Sequence, residues 1–452
     1  MSNRAAILVG LLTLLSVILR NQLLFLVSIF LWLVIGVAYL WARYCLVNLT
    51  YRRHLSSNRL YLNEEADLQM EIVNAKPLPL PWLRIDDLMP LSINVASQMV
   101  TEEEDGQHRR LVTVLGLRWY ERVIRRYRIR GLHRGLWHLG PAQIRSGDIF
   151  GFDIRRLIDE TPTELLVYPR IVPITALGLP ARHPLGDQHS PRRVIEDPLR
   201  MMGVRDYVQG DNFRYIHWKA SARSLNLQTK VFDPSASRPV AIFLNVSTAT
   251  YFSEGYDWNL REFGITAAAS LARQLWLDSY TVGLFVNTSI AGRLQHIRIR
   301  PRQHPEHLEQ ILAALARIDD IRGRWPLERI LQLEAPSLPY GATLVVITAL
   351  LTAEMEQTLL DLRRREYAVV LLTVGQARPS TYLPNIQHRH LGGHEEWFAL
   401  ESLAVDAGDM RVFGAAAPLT DGAVATETGG GGNGPPLPAP IGTVLPGERA
   451  GI

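Results

Sequence analysis

The chain has 452 residues, 20% charged and 47% hydrophobic, which supplies enough apolar side chains for two or three packed domains and argues against wholesale disorder. Its formal net charge of +4 is small for this length and speaks against a nucleic-acid binder. Cys45 is the only cysteine, so an intrachain disulfide and a cysteine-based metal cluster are both excluded, and among the 48 Lys and Arg residues only Lys76, Lys219 and Lys230 are lysines.

Ala5 to Leu19 is an apolar run closed by Arg20-Asn21-Gln22, and Leu23 to Trp41 is a second run without charge. Backbone groups in hydrocarbon must be bonded within their own segment, so both runs are predicted helices, and the second approaches the roughly 20 residues that span a bilayer. The first is shorter. No small-residue cleavage site follows Leu19, which favours a transmembrane helical hairpin over 1–48 rather than a signal peptide. Arg4 precedes the first run and Arg43, Arg52 and Arg53 follow the second, with only Arg20 between them, so the positive-inside bias places both ends in the cytoplasm. The expected location is the cell inner (cytoplasmic) membrane, multi-pass, with the soluble domains cytoplasmic. Trp32, Trp41 and Tyr44 are candidate interface anchors, and Cys45 at the boundary reads as a small buried residue rather than an acylation site.

Residues 49–175 read as an all-β sandwich. Arg59 to Leu62, Ala66 to Val73, Arg110 to Leu117 and Arg122 to Ile129 alternate polar and apolar residues, with Pro77, Pro79, Pro81, Gly131 and Gly135 as turn punctuation. Residues 176–237 have little periodicity and read as a linker segment. From residue 238 to 413 continuous apolar strands alternate with helices: Val240–Val246, Trp258–Leu277, Thr281–Val286, an edge-like Gln295–Arg300, Pro305–Ile318, Ala342–Thr348, Ala353–Glu366, Tyr367–Thr373 and a last helix at His394–Ala404. That grammar predicts an α/β domain with a parallel sheet covered on both faces and a ligand site at the carboxyl ends of its strands. Residues 414–452, rich in Ala, Gly and Pro, read as a disordered tail.

The sharpest motif runs from Val204 to Arg223. It contains Arg205, Tyr207, Gly210, Asp211, Arg214, Ile216, His217, Trp218, Lys219, Ser221, Ala222 and Arg223. This run resembles the signature of the bacterial domain of unknown function 58 family, in which Arg-x-Tyr is followed by Gly-Asp, an Arg three residues on, then Ile-His-Trp-Lys and Ser-Ala-Arg. Gly147-Asp-Ile-Phe-Gly-Phe is similar to the family's Asp-Pro-Phe-Gly stretch, with Ile149 where proline is usual, and Tyr168 to Pro173 resembles the segment that follows it. The resemblance runs from the apolar helices to about residue 400. It implies a membrane-anchored scaffold with a β-rich domain and a von Willebrand factor type A-like (Rossmann-like) domain. It also implies genes set beside MoxR-type AAA+ ATPases and transglutaminase-like proteins.

Such a type A domain holds Mg²⁺ with Asp-x-Ser-x-Ser after its first strand and a later Asp. Here the corresponding residues are Asn245, Ser247 and Ala249, and Thr348-Ala349 stands where Ser-Asp is expected. A hard cation needs carboxylate oxygens, so the site reads as degenerate and no cofactor is expected. The signature itself admits three readings. It is a structural knot in which Asp211 pairs with Arg205 or Arg214 and Trp218 packs under a cation. Or it is a docking surface on Arg205, Tyr207, Asp211, Arg214, His217, Trp218, Lys219 and Arg223, within a segment, 191–230, that holds eight basic and four acidic residues. Or it is the site of an enzyme of unknown reaction built around Asp211, Arg214, His217 and Lys219. No phosphate-binding Gly-x-x-x-x-Gly-Lys motif and no nucleophile elbow is present. His388, His390 and His394 are interrupted by Gly392-Gly393 and read as a solvated loop rather than a zinc site. The expectation is a non-enzymatic membrane-anchored scaffold for protein–protein interaction, working with a MoxR-type AAA+ ATPase in envelope or complex maturation, with a transglutaminase-like protein as a further partner and no nucleic acid.

Overall fold

The computed structural model describes residues 2–96, 100–102, 106–148, 153–180, 185, 201–209, 211–232, 239–249, 255–290, 295–302, 304–320, 323–339 and 341–403. The tail at 414–452, Gly210, residues 149–152 of the Asp-Pro-Phe-Gly-like stretch and the basic residues of 191–200 lie outside them.

Two apolar helices lead in, α1 (Ser2–Ile18) and α2 (Gln22–Tyr44). Arg20 turns the chain at φ +46°, and Asn21 Oδ1 caps α2 by accepting from the Leu23 and Leu24 N–H groups at 3.0 and 3.3 Å. Among the described residues α2 alone is long and apolar enough to cross a membrane; the apolar part of α1, Ile7–Ile18, falls short. Trp32 is mid-helix, donating to Thr13 Oγ1 of α1 at 3.2 Å. After Tyr44 the chain turns straight into a packed core: Ala42 and Cys45 are fully buried, and Trp41 packs against that core.

The β region comprises β1 (Leu49–Leu55), β2 (Arg59–Leu60), β3 (Glu65–Asn74), β4 (Leu80–Pro90), β5 (Ile93–Val95), β6 (Val100–Glu102), β7 (His108–Leu117), β8 (Arg122–Gly131), β9 (Gly135–Leu139), β10 (Ala142–Gly147), β11 (Ile154–Asp159) and β12 (Thr163–Val167). They form three sheets in the orders β1-β3-β8-β5, β11-β10-β4-β7-β6 and β2-β12-β9. The alternation read from the sequence has its cause here: along β3, Ala66, Leu68, Met70 and Ile72 are buried while Glu65 and Asp67 are exposed. The buried faces of the first two sheets share one core, with Leu68, Met70 and Ile72 against Leu83, Ile85 and Leu111. The expected strand at Arg59–Leu62 shrinks to two residues. Arg53, counted in sequence as a membrane-flanking charge, lies instead in the interior, 2% exposed and bonded to Asp87.

Within the segment expected to be a linker, 176–237, the described residues between 201 and 232 hold regular elements. Strands β13 (Met201–Asp206) and β14 (Gln228–Phe232) pair antiparallel as a separate two-stranded ribbon, with a 3₁₀ turn (Phe213–Tyr215) and helix α3 (Trp218–Ser224) between them.

The α/β region contains β15 (Pro239–Leu244), α4 (Trp258–Leu277), β16 (Thr281–Val286), β17 (Ile297–Arg302), α5 (His307–Ala316), α6 (Leu327–Glu334), β18 (Thr343–Thr348), α7 (Ala353–Arg364), β19 (Ala368–Val374), β20 (Gln387–Gly392) and α8 (His394–Ser402). Its sheet has the order β17-β16-β15-β18-β19-β20. It is mixed rather than wholly parallel, because only ten residues, 287–296, separate β16 from β17, too few for a crossover, and the two strands pair antiparallel. β15, β16 and β19 are buried along their whole length, which explains their unbroken apolar sequences. Of the histidines expected in a loop, His388 and His390 lie on β20 and His394 begins α8. His388 and His390 both bond Thr373 Oγ1, at 2.9 and 3.1 Å, while His394 pairs with Asp257, so His390 and His394 share no helix face.

Candidate functional site

The carboxyl ends of the parallel strands carry the loop where the resemblance implies a Mg²⁺ site. Asn245 Oδ1 accepts from Asn287 Nδ2 at 2.7 Å and from the Ser247 N–H at 3.0 Å, and Asn245 Nδ2 donates to Thr348 Oγ1 at 3.1 Å. Asn287 Oδ1 accepts from the Val246 N–H at 2.9 Å, and Thr348 Oγ1 donates to the Leu350 carbonyl at 2.6 Å. Ser247 Oγ accepts from the Gly323 N–H at 3.1 Å. Asn245, Asn287 and Thr348 are buried, and every side-chain oxygen they would offer a cation is spent within the network. The carboxylates at this end are also held. Asp257 caps α4 and bonds His394 Nε2 at 2.6 Å, and Asp320 bonds Thr288 and Arg324. A neutral, internally closed set of amides and hydroxyls does not fit Mg²⁺, which demands carboxylate charge. Among the described residues no cluster of three His, Cys, Asp or Glu side chains with metal-holding geometry is found. Asn245→Asp, which removes the donor to Thr348 and buries a carboxylate, is expected to cost about 1–3 kcal/mol of stability. The wild-type denaturation midpoint should be the same in EDTA as in excess magnesium; a magnesium-dependent rise would contradict a closed network.

The signature ribbon is organised around three local bonds. Arg205 Nη2 donates to Asp211 Oδ1 at 2.6 Å, while Asp211 Oδ2 accepts from the Val208 N–H at 3.0 Å and from Thr229 Oγ1 at 3.2 Å. The Arg205 bond, seconded by the Val208 N–H, holds the Asp211 carboxyl below the usual carboxylate range. His217 caps α3: its Nδ1 accepts from the Ala220 N–H at 2.9 Å, and its own N–H donates to the Gln228 carbonyl at 2.8 Å. Ser221 Oγ accepts from the Gln228 N–H at 2.8 Å, fixing α3 to β14. Asp211 thus pairs with Arg205 and not Arg214. Among the described residues no hydrogen bond joins Asp211, Arg214, His217 and Lys219 to one another, and the Nδ1 lone pair of His217 is committed to a backbone group.

What these bonds hold out is apolar and cationic. Trp218 is 68% exposed rather than packed beneath a cation, Phe213 is 69% exposed and stacks on Tyr207 at 5.8 Å between centroids, and Leu225 is 91% exposed at φ +58°. Arg214, Lys219 and Arg223 are exposed beside them. Sequence reading picked out Tyr207, Trp218 and the cations but passed over Phe213 and Leu225. Their signal was present in the sequence as large apolar residues in a stretch too polar to build a core.

Residues 203–400 match the family model described as "Protein of unknown function DUF58". The chain is 25% identical over 222 residues to the uncharacterized protein YeaD of Bacillus subtilis (strain 168), an alignment that covers 47% of this chain and 52% of that protein. The chain therefore spans about half the length of the curated relative it matches. Similar solved structures include the CARDB domain of a Pyrococcus furiosus protein, with 11% identity, TM-score 0.19, and coverage of 26% of this chain and 91% of that one. The major pilin subunit BcpA of Bacillus cereus gives 7% identity and TM-score 0.21 over 27% of this chain and 41% of that one. Likeness at this level carries no argument about fold or function. The family-model match, by contrast, falls on the stretch that holds the signature ribbon and the α/β region, and together with the YeaD relative it supports the DUF58 family.

Proposed function

We propose that this protein is a membrane-anchored, non-catalytic interaction module whose docking element is the signature ribbon at 201–232. The observation that carries this reading is the pairing of Phe213, Trp218 and Leu225, each more than two-thirds exposed, with the exposed cations Arg214, Lys219 and Arg223 on a ribbon braced by its own hydrogen bonds. Aromatic and arginine side chains are the residues that dominate binding energy at protein interfaces, and the surrounding positive charge suits an acidic partner surface. The partner implied by the family resemblance is a MoxR-type AAA+ ATPase, with a transglutaminase-like protein as a second candidate, and the process is envelope or complex maturation. In this reading α1 and α2 form a transmembrane hairpin in the inner membrane with both ends cytoplasmic. The β region is a sandwich that lifts the α/β region off the bilayer. The α/β region is a von Willebrand factor type A-like domain whose metal loop has been replaced by the closed amide network. The absence of a shared hydrogen-bond network among Asp211, Arg214, His217 and Lys219 favours docking over catalysis.

The test is affinity purification from crosslinked native membranes, read by mass spectrometry, with wild type beside a Phe213→Ala, Arg214→Ala, Trp218→Ala, Lys219→Ala variant. An AAA+ ATPase should be recovered with wild type and fall at least about tenfold with the variant, a loss of about 1.4 kcal/mol or more. The variant should melt at the wild-type temperature, since none of the four side chains is buried. Equal recovery by both proteins, or no AAA+ ATPase above background, would refute the proposal.

A further inference from the structure

The end of the β region from which α2 departs presents a second exposed surface. Strand register brings four connections together there. Leu49 at the start of β1 pairs with Asn74 at the end of β3, and Val73 pairs with Arg122 at the start of β8. Leu117 at the end of β7 pairs with Leu80 at the start of β4, and Gly147 at the end of β10 pairs with Ile154 at the start of β11. The β7–β8 turn is tied to the exit of α2 by a short chain of bonds. The Tyr120 N–H donates to the Lys76 carbonyl at 3.2 Å, and Lys76 Nζ, itself buried, donates to the Val47 carbonyl at 2.8 Å. Asn74 Nδ2 donates to the Arg118 carbonyl at 2.7 Å, and the Ala75 N–H donates to the Asn48 carbonyl at 3.0 Å.

This braced turn holds Trp119 and Tyr120 outward, 67% and 70% exposed. Tyr120 sits at φ +52°, a conformation a bulky residue adopts only where its surroundings impose it. Arg118 and Arg122 flank the pair in the chain and are exposed; Arg43 and Tyr44 are exposed at the end of α2, and Ile154 and Arg155 at the start of β11. Two adjacent exposed aromatics with no core to serve, ringed by arginines and joined to the end of a 23-residue apolar helix, have the composition of the lipid–water interface.

We infer that the β7–β8 turn seats Trp119 and Tyr120 in the interface of the leaflet from which α2 emerges, with Arg118 turned to the phosphates of anionic headgroups. The inference rests on the reading that α2 spans the membrane. It gives the β region a second point of attachment, so that residues 45–48 do not act as a swivel and the ribbon and α/β region are held in a fixed attitude to the bilayer.

The test uses the full chain with its own tryptophans labelled as fluorotryptophan, in nanodiscs of phosphatidylcholine and phosphatidylglycerol. Fluorine resonances are assigned by Trp119→Phe, Trp32→Phe and Trp258→Phe. Broadening is compared between a lipid bearing a nitroxide just below its headgroup and a soluble gadolinium chelate. Trp119 is expected to broaden several-fold more with the lipid nitroxide than with gadolinium, as Trp32 within α2 should, while Trp258 on α4 shows the reverse. If Trp119 follows Trp258 while Trp32 still follows the lipid, the inference is overturned and the spanning helix stands. If Trp32 too responds to gadolinium and not to lipid, the spanning reading falls and takes the inference with it.

Discussion

Arg134→Ala is expected to lower stability by about 3–5 kcal/mol, because it breaks a buried, bidentate ion pair and strands the partner charge. Arg134 lies between β8 and β9, yet its guanidinium is 6% exposed and embedded in the α/β region. Nε and Nη2 donate to the two carboxylate oxygens of Glu262 on α4 at 2.7 and 2.8 Å. Nη1 donates to the carbonyls of Leu315, Ala316 and Ile318 at 3.0, 3.1 and 2.7 Å, satisfying the last turn of α5 where the helix dipole favours a cation. After truncation Glu262 keeps only Arg261, and the α5 carbonyls lose their donor. Arg134→Lys should recover only part of the loss, since a single ammonium cannot span a carboxylate and three carbonyls at once. The readout is denaturant unfolding followed by two probes. Wild type should give coincident curves, and Arg134→Ala should give separated transitions as the β and α/β regions uncouple. A shift below about 1 kcal/mol with coincident curves would show that the other contacts between the regions suffice without Arg134. Those contacts include the Val172 N–H to Ser270 Oγ bond at 2.9 Å and the Arg170 Nη1 bonds to the Leu400 and Glu401 carbonyls at 3.1 Å.

Asp87→Ala should have an effect of similar size, about 3–5 kcal/mol, for a related reason inside the β region. Arg53 and Asp87 are 2% and 0% exposed and bond at 2.9 Å between β1 of one sheet and β4 of another, with the Tyr51 hydroxyl donating to the same carboxylate oxygen at 2.8 Å. Burial pushes the Asp87 carboxyl up against the pull of Arg53 and Tyr51, so the charged form is held at a cost. Asp87 Oδ1 and Arg53 Nη2 have no hydrogen-bond partner even in the intact cluster, although Nη2 lies 3.9 Å from the Asp159 carboxylate. Removing the carboxylate leaves a buried guanidinium with only the Thr161 carbonyl at 2.7 Å and the Asp159 carboxylate, 3.9 Å from Nη2, to answer it. The triple variant Tyr51→Phe, Arg53→Met, Asp87→Leu, which replaces all three polar groups, should regain most of that stability in the same denaturation assay. If Asp87→Ala alone leaves the midpoint unchanged, the pair contributes nothing to stability.

Both clusters mark where the sequence stopped being readable. Arg134 and Glu262 are 128 residues apart and Arg53 and Asp87 are 34 apart, and nothing local distinguishes an interior arginine from the many on the surface. Arg53 was therefore read as a membrane flank. Elements with one buried face or two were legible: β3 through its alternation, β15, β16 and β19 through continuous apolar runs, α4 through helical spacing. The ribbon was not, because of residues 203–209 and 211–230 only Ile216, Gln228 and Thr229 are buried, and so sparse a set of buried positions gives no hydrophobic period to read. β20 was missed for a different reason. His388 and His390 look like loop or metal residues until Thr373 is seen to bond both. At the strand ends the sequence has Asn245 and Ala349 where the resemblance places carboxylates. It could not reveal Asn287, 42 residues along, as the group that closes the network.

That closed network bears on timing. A domain that grips its partner through a bound cation exists in loaded and empty forms, and the cell can shift the ratio by supplying or withholding the ion. With both asparagine amides bonded to each other and to the backbone, this end of the sheet offers a cation no open set of oxygens by which to select a state. On the proposed function the scaffold is always ready. When an assembly forms and when it comes apart is then decided by the nucleotide cycle of the ATPase, and not by this chain.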